Sequence, residues 1–205
     1  MSRSTREHLL DVGLALLLEQ GYNHLSIQPL LRRAGVPKGS FYHHFESKED
    51  FALQVIDRYM VEVHAGLDAC LGDQSMPPLV RVRRFFELSR DKYREQGDLG
   101  CLLGGLGQEL SGVSERFRRR IEACFAAIAA RLADCFELAK AAGELPPRTN
   151  ARELADLLVD CWEGAALRSR LRRDSAPLDT ILEFYFEAMR GSAPEKTAAL
   201  AARSR

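Results

Sequence analysis

The chain has 205 residues, 29 Lys+Arg against 29 Asp+Glu, 46% hydrophobic and 28% charged positions; this is a folded globular composition that excludes a disordered chain, a collagen-like repeat and a uniformly basic nucleic-acid coat. The longest apolar run, Ala123 to Ala130, is far short of the roughly 20 residues that span a bilayer, so no membrane partner is expected. The first residues lack the apolar stretch of an export signal, and five scattered cysteines suit a reducing cytoplasm better than a disulfide frame.

Ser4 to Gln20 reads as the first helix: Leu9, Val12, Gly13, Leu16 and Leu17 recur at helical spacing, Ser4 and Glu7 are spaced as a capping box, and Gly21 stops the run. Ser26 is placed to cap a second helix that tolerates Pro29 in its first turn, buries Ile27, Leu30, Leu31 and Ala34, and ends at Gly35. A third runs from Pro37 to about Phe45. Helices this short are not stable alone, so the three must share one core. Ser47 and Asp50 then cap a helix that carries Phe51, Val55, Ile56, Tyr59, Val63 and Leu67 to Leu71, before Gly72. At 1.5 Å per residue it extends roughly 36 Å, long enough to join two domains.

Further helices are predicted over 79–96, 101–111, 114–142, 150–173 and 177–190, with no convincing strand, so the fold class is all-α. One apolar stripe runs through Ile121, Cys124, Phe125, Ile128, Leu132, Cys135 and Phe136; another runs through Leu154, Leu157, Leu158, Cys161 and Ala165 in a helix capped by Asn150 and Glu153. The last two helices form a hairpin whose spare face a second copy of the chain would bury. The expected organisation is a small helical head over 1–48, a larger helical domain over 49–190 that contains the dimer-forming hairpin, and a flexible Ala-, Arg- and Ser-rich tail over 191–205.

Between Ser26 and Phe45 the spacing is that of a helix-turn-helix, with its turn at Ala34-Gly35-Val36. Phe41 and Phe45, one turn apart, anchor the second helix inward and turn Lys38, Gly39, Tyr42 and His43 outward, where they can meet a major groove. Adjacent histidines make a poor metal pair, and neither a metal site nor a cofactor is expected from His43 and His44. Residues 1–48 hold six cations, Arg3, Arg6, Arg32, Arg33, Lys38 and Lys48, against four anions, so the zero total conceals a mildly basic head.

The run Gly35-Val-Pro-Lys-Gly-Ser-Phe-Tyr-His-His-Phe-Glu-Ser-Lys-Glu-Asp-Phe51 resembles the signature of the tetracycline-repressor (TetR) family of bacterial regulators. The resemblance covers residues 4 to about 60 and implies that Ser26, Lys38, Gly39, Ser40, Tyr42, His43, His44 and Lys48 touch double-stranded DNA, mostly at phosphates.

Gly100-Cys-Leu-Leu-Gly-Gly-Leu-Gly-Gln-Glu-Leu110 is an unusual helix, because each interior glycine costs about 1 kcal/mol relative to alanine; close packing or a nearby ligand would explain it. Cys101 falls at the helix start, where free amides and the dipole favour the reactive thiolate. Cys124, Cys135 and Cys161 lie on apolar stripes as inert core residues, and Cys70 at a helix end is open. From residue type alone Cys101 reads first as a small buried hydrophobe, and the resemblance that follows shifts the balance. Together with Trp162-Glu-Gly-Ala-Ala-Leu-Arg168, this segment is similar to a TetR branch responsive to electrophiles and small unsaturated acids, such as repressors of N-ethylmaleimide reductase and of acrylate metabolism. That resemblance implies Cys101 as sensor and Gln108, Trp162, Glu163, Arg168 and Arg170 as pocket residues. The branch often has Asn at Gly105 and Lys at Arg170, which implies different effector contacts there. Trp162 also fits a dimer interface.

The leading expectation is a non-enzymatic repressor that binds a palindromic operator as a homodimer, with recognition helices about 34–36 Å apart, and is released when a small molecule fills the C-terminal pocket or modifies Cys101. An all-helical enzyme using Cys101 is the second reading; all five histidines precede residue 65 and none is spaced to serve that cysteine as a base. A constitutive DNA-binding protein, in which Cys101 is structural, is the third.

Overall fold

Nine α-helices form the framework of the computed structural model, which describes residues 4–97 and 99–191; no strand occurs among the described residues. They are α1 (Thr5–His24), α2 (Ile27–Ala34), α3 (Lys38–His44), α4 (Lys48–Leu71), α5 (Pro78–Glu95), α6 (Leu102–Leu110), α7 (Glu115–Ala141), α8 (Ala151–Arg172) and α9 (Ala176–Gly191). The expected flexible tail, apart from Gly191, lies outside the described residues.

Local chemistry accounts for most of these limits. Ser4 Oγ accepts from the Glu7 amide while the Glu7 carboxylate accepts from the Ser4 amide, completing the capping box of α1. Gly21, at φ 75°, breaks the helical path inside α1, and a last turn through His24 follows it. Ser47, Ser114 and Asn150 cap α4, α7 and α8 through their side-chain oxygens, Asn150 accepting from the amides of both Arg152 and Glu153. One expected cap is absent: Ser26 stands at the N-cap of α2, yet its side chain makes no capping bond. Gly35 closes α2 in the left-handed conformation.

The long α4 packs against α1 on one side and against α5 and α7 on the other, and the buried side chains form one continuous core from Leu9 to Met189. That core crosses the expected boundary at residue 48 without a break, because Phe51 of α4 packs edge-on against Phe45, 4.8 Å between centroids, and near Phe41 at 5.4 Å. Burial of each ring stabilises the head by about 1.5–3 kcal/mol, so the three phenylalanines tie α3 to α4, while α2 packs mainly on α1 through Leu30, Leu31 and Ala34.

The α7 stripe is buried as its spacing predicts, apart from the half-buried Phe125. The α8 stripe is not. Ala155, Leu158, Val159, Trp162 and Ala166 face the core instead, while Leu157 is exposed and Leu154, Cys161 and Ala165 are half-buried. The reading of Cys161 as a core residue is therefore corrected: it lies on the outer α8–α9 face, near the exposed Phe184 of α9.

Candidate DNA-reading helix and cysteine cavity

The head presents α3 by burying its apolar anchors. Phe41 and Phe45 are essentially inaccessible, whereas Lys38, Gly39, Tyr42 and His43 are exposed and Ser40 and His44 are half-buried. Lys38 forms no hydrogen bond or ion pair among the described residues, and Ser26 lies exposed at the start of α2. Arg33 is unavailable to a ligand in this state because Glu19 holds it in a bidentate pair at 2.6 and 2.8 Å. The rings of His43 and His44 do meet, edge to face at 5.0 Å, although neighbouring helix positions diverge at Cβ.

Lys48 sits differently. Its Nζ lies 4.2 Å over the Tyr22 ring, and burial pushes its pKa down while Glu109 opposes that shift. A cation in the first turn of a helix is disfavoured by the dipole, and the aromatic face together with Glu109 offsets this. Tyr22 in turn packs edge-on against Phe117 of α7.

The same corner carries a direct link between the two halves. Glu109 of α6 accepts the backbone amides of Tyr22 at 2.8 Å and Asn23 at 2.5 Å, just after the break at Gly21. Gly21 has to be glycine on two counts, its left-handed φ and the Glu109 carboxylate that a Cβ would strike. Beside it, Glu49 of α4 accepts from Ser114 Oγ at 2.9 Å and Arg116 at 3.2 Å, joining α4 to α7.

The α6 helix leads from that corner to Cys101, its N-cap. Two hollows meet at this cysteine. One is a cavity of about 160 Å³ walled mainly by apolar and aromatic groups of α4, α5, α7 and α8, among them Phe85, Phe86 and Trp162. The other is a more open cleft between α1, α6 and α8 that Gln108, Glu109 and Arg170 line. Trp162 is buried at 4.8 Å from Phe86 and 6.1 Å from Tyr93, so its ring belongs to the wall of the inner cavity.

The expectation of a ready thiolate at Cys101 is overturned. Burial, with Glu163 adding repulsion, pushes the thiol up to about 12, even though the Gly104 amide and Tyr59 favour the anion. A helix N-terminus lowers a thiol pKa only where desolvation does not exceed it, and here desolvation wins. Tyr59 Oη lies 3.7 Å from Cys101 Sγ. Glu163 lies beside the same sulfur, and burial raises its carboxyl to about 7. The glycine-rich helix is now explained at one position: a Cβ at Gly104 would collide with the Glu163 carboxylate.

Of the other expected pocket residues, Gln108 is exposed along the open cleft, and Arg170 Nη1 donates to the Leu99 carbonyl at 3.1 Å beside it. Arg168 points elsewhere, toward the outer α8–α9 face with Cys161 and Phe184, and is not brought to Cys101. Cys124 and Cys135 are buried as expected, and Cys70 is buried against the inner cavity. Sequence reasoning missed Tyr59, Tyr93 and Glu109 as polar partners. A tyrosine within an apolar stripe was the available signal, since a buried phenol must find a partner; nothing in the sequence marked Glu109.

A helix-turn-helix head fixed to an all-helical domain with an internal cavity defines a DNA-binding regulator. The model for bacterial regulatory proteins of the tetR family matches residues 9–55, and that for the tetracyclin repressor-like C-terminal domain matches residues 78–185. The chain is 34% identical to the HTH-type transcriptional repressor DhaR of Mycobacterium sp. (strain GP1), over 90% of this chain and 91% of that one. It is 36% identical to the transcriptional regulator AcuR of Cereibacter sphaeroides, over 87% and 82%. The crystal structure of the reduced form of E. coli NemR superposes with a TM-score of 0.82 at 30% identity, covering 89% of this chain and 95% of that one. The protein belongs to the TetR family of bacterial transcriptional regulators. Its curated relatives named above are regulators of transcription, and no described helix is long and apolar enough to cross a membrane.

Proposed function

We propose that this protein is a transcriptional repressor that binds a palindromic operator as a homodimer and lets go when an electrophile modifies Cys101 or a small molecule fills the adjoining cavity. The observation that carries this reading is the Glu109 link: the helix that begins at Cys101 ends by holding the amides of Tyr22 and Asn23 in the DNA-reading head. A change in α6 position at the cysteine therefore transmits to α1, and through the Phe51 contact to the α3 anchors. A constitutive DNA-binding protein would have no use for such a link. For release to follow, the effector must bind the non-binding conformation more tightly than the DNA-competent one.

In this reading Lys38, Gly39, Tyr42 and His43 face the major groove, while Ser26, Ser40, His44 and Lys48 address phosphates. The exposed Leu157, Leu167, Leu171 and Phe184 on α8 and α9 supply the apolar face that a second copy covers. The similarity to NemR supports an electrophile as effector, and the resemblance of the Gly100–Leu110 segment to repressors of acrylate metabolism leaves a small unsaturated acid as the alternative. The test is a mobility-shift assay on the promoter beside the gene, with N-ethylmaleimide, acrylate or hypochlorite added to wild type and to Cys101→Ser. Wild type should bind and be released by at least one of the three, and Cys101→Ser should bind but resist the thiol-directed reagent. Release of Cys101→Ser by that reagent at the wild-type concentration would place the sensor elsewhere.

A further inference from the structure

Cys101 and Glu163 are the two side chains common to the inner cavity and the open cleft, so together they form the partition between them. The sulfur has three polar neighbours: the Glu163 carboxylate from α8, the Tyr59 hydroxyl from α4 and the Gly104 amide from its own helix. One of the three can take a proton from it, and the other two can donate to a sulfur anion. Gly104 keeps the carboxylate close, because any larger residue would displace it.

We infer that Glu163 is the proton acceptor that activates Cys101 for addition to an electron-poor alkene such as a maleimide or an α,β-unsaturated carbonyl compound, with Tyr59 and the Gly104 amide stabilising the sulfur anion. The inference rests on the electrophile reading above and adds the chemistry of its first step. The Cys101 S–H proton passes to the Glu163 carboxylate, and the sulfur electron pair forms the C–S bond at the β-carbon. The alkene π pair moves toward the carbonyl as an enolate. The Glu163 carboxylic acid then returns the proton to the α-carbon, which restores the carboxylate, so the thiol has added across the double bond without an oxidant or any further reactant. A buried thiol that stays neutral in water-like conditions reacts only where such an acceptor is built in, and a carboxyl that titrates near neutrality can both take and return the proton. The arrangement also confers selectivity: the thiol stays protonated until an alkene is seated beside it.

The test measures the rate of Cys101 adduct formation with N-ethylmaleimide at pH 7.5, by mass spectrometry of the Cys101 peptide, in wild type, Glu163→Gln, Glu163→Asp and Gly104→Ala. Glu163→Gln should slow the reaction by about 100-fold, Glu163→Asp should recover part of it, and Gly104→Ala should resemble Glu163→Gln because it displaces the carboxylate. A purely electrostatic role predicts the opposite, since removing a negative charge beside the sulfur would speed the reaction; an equal or faster rate in Glu163→Gln overturns the proposal. Operator release read on the same samples separates the two claims. A slowed adduct in Glu163→Gln with no release even by fully modified wild type would sink the electrophile-release reading alone, and a wild-type Cys101 that takes no adduct would sink both that reading and this inference.

Discussion

The DNA-reading head and the cysteine cavity handle polar groups in opposite ways. On α3 the apolar anchors Phe41 and Phe45 are buried, and Lys38, Tyr42 and His43 are left in water, ready for a polymer that carries its charge permanently. Around Cys101 the polar groups are gathered against one another, Tyr59 bonded to the buried sulfur and the half-buried Glu163 beside it, with charge held back by desolvation. A surface that recognises DNA needs charge before the encounter. A sensor gains from acquiring it during the encounter, because a thiol that stays neutral is spared from the many other reagents that attack a thiolate.

The strongest way to break this comparison is to remove the support of the head alone. Phe41→Ala deletes a ring with no accessible surface, within 5.4 Å of both Phe45 and Phe51, and should cost about 3–5 kcal/mol. Hydrogen exchange is the measurement. Amides of α2 and α3 should lose about 100-fold or more of their protection while those of α7 and α8 keep theirs; equal loss everywhere would mean that the continuous core makes head and cavity one cooperative unit.

The cavity can be tested through pH. Glu163 titrates near 7 when folded against 4.5 as its ordinary value. A carboxyl raised in this way favours folding while protonated, so its contribution is fully present below pH 4.5 and lost as pH rises through 7. The loss is roughly 3 kcal/mol at most, from about 1.4 kcal/mol per pH unit. Urea midpoints of wild type and Glu163→Gln, at one protein concentration, should therefore diverge between pH 5 and pH 8, with the variant relatively more stable at pH 8. Parallel curves would show that the carboxyl is solvated after all.

The difference between the two regions also governs what could be read from the sequence. Helix count, caps at Ser4, Ser47, Ser114 and Asn150, and the anchors of α3 follow from local spacing, since a cap or an i, i+4 pair is complete within a few residues. The cavity is non-local. Cys101 meets Tyr59 42 positions before it and Glu163 far beyond it, and the Glu109 bonds reach back 86 and 87 positions. Local reasoning placed Cys101 at a helix N-terminus correctly and then inferred a thiolate, because the dipole is a local property and desolvation is not. The α8 stripe failed for a related reason: a helix with apolar residues on two faces shows which residues are apolar without showing which face its own chain will cover.

On the exposed side, Lys38→Ala should weaken operator binding by about 1–3 kcal/mol if the ammonium reads a base, and leave thermal stability unchanged because Lys38 has no partner to lose. Titration on the operator and on a scrambled duplex separates the roles: a base reader loses discrimination, whereas a phosphate contact weakens both duplexes alike. Unchanged affinity for both would remove Lys38 from the interface.

The smallest effect concerns Ser26, and it turns on the cap that did not form. A serine that caps a helix costs about 1 kcal/mol when replaced by alanine, but the Ser26 side chain makes no capping bond in α2. Ser26→Ala should therefore leave the melting temperature within the scatter of ordinary surface substitutions, about 0.5 kcal/mol. A hydroxyl spared from capping is free to donate to a phosphate, so operator affinity should still fall by roughly 1 kcal/mol, about the net value of one hydrogen bond. A measurable loss of stability with unchanged affinity would reverse the assignment and make Ser26 a helix cap whose bond forms only in solution.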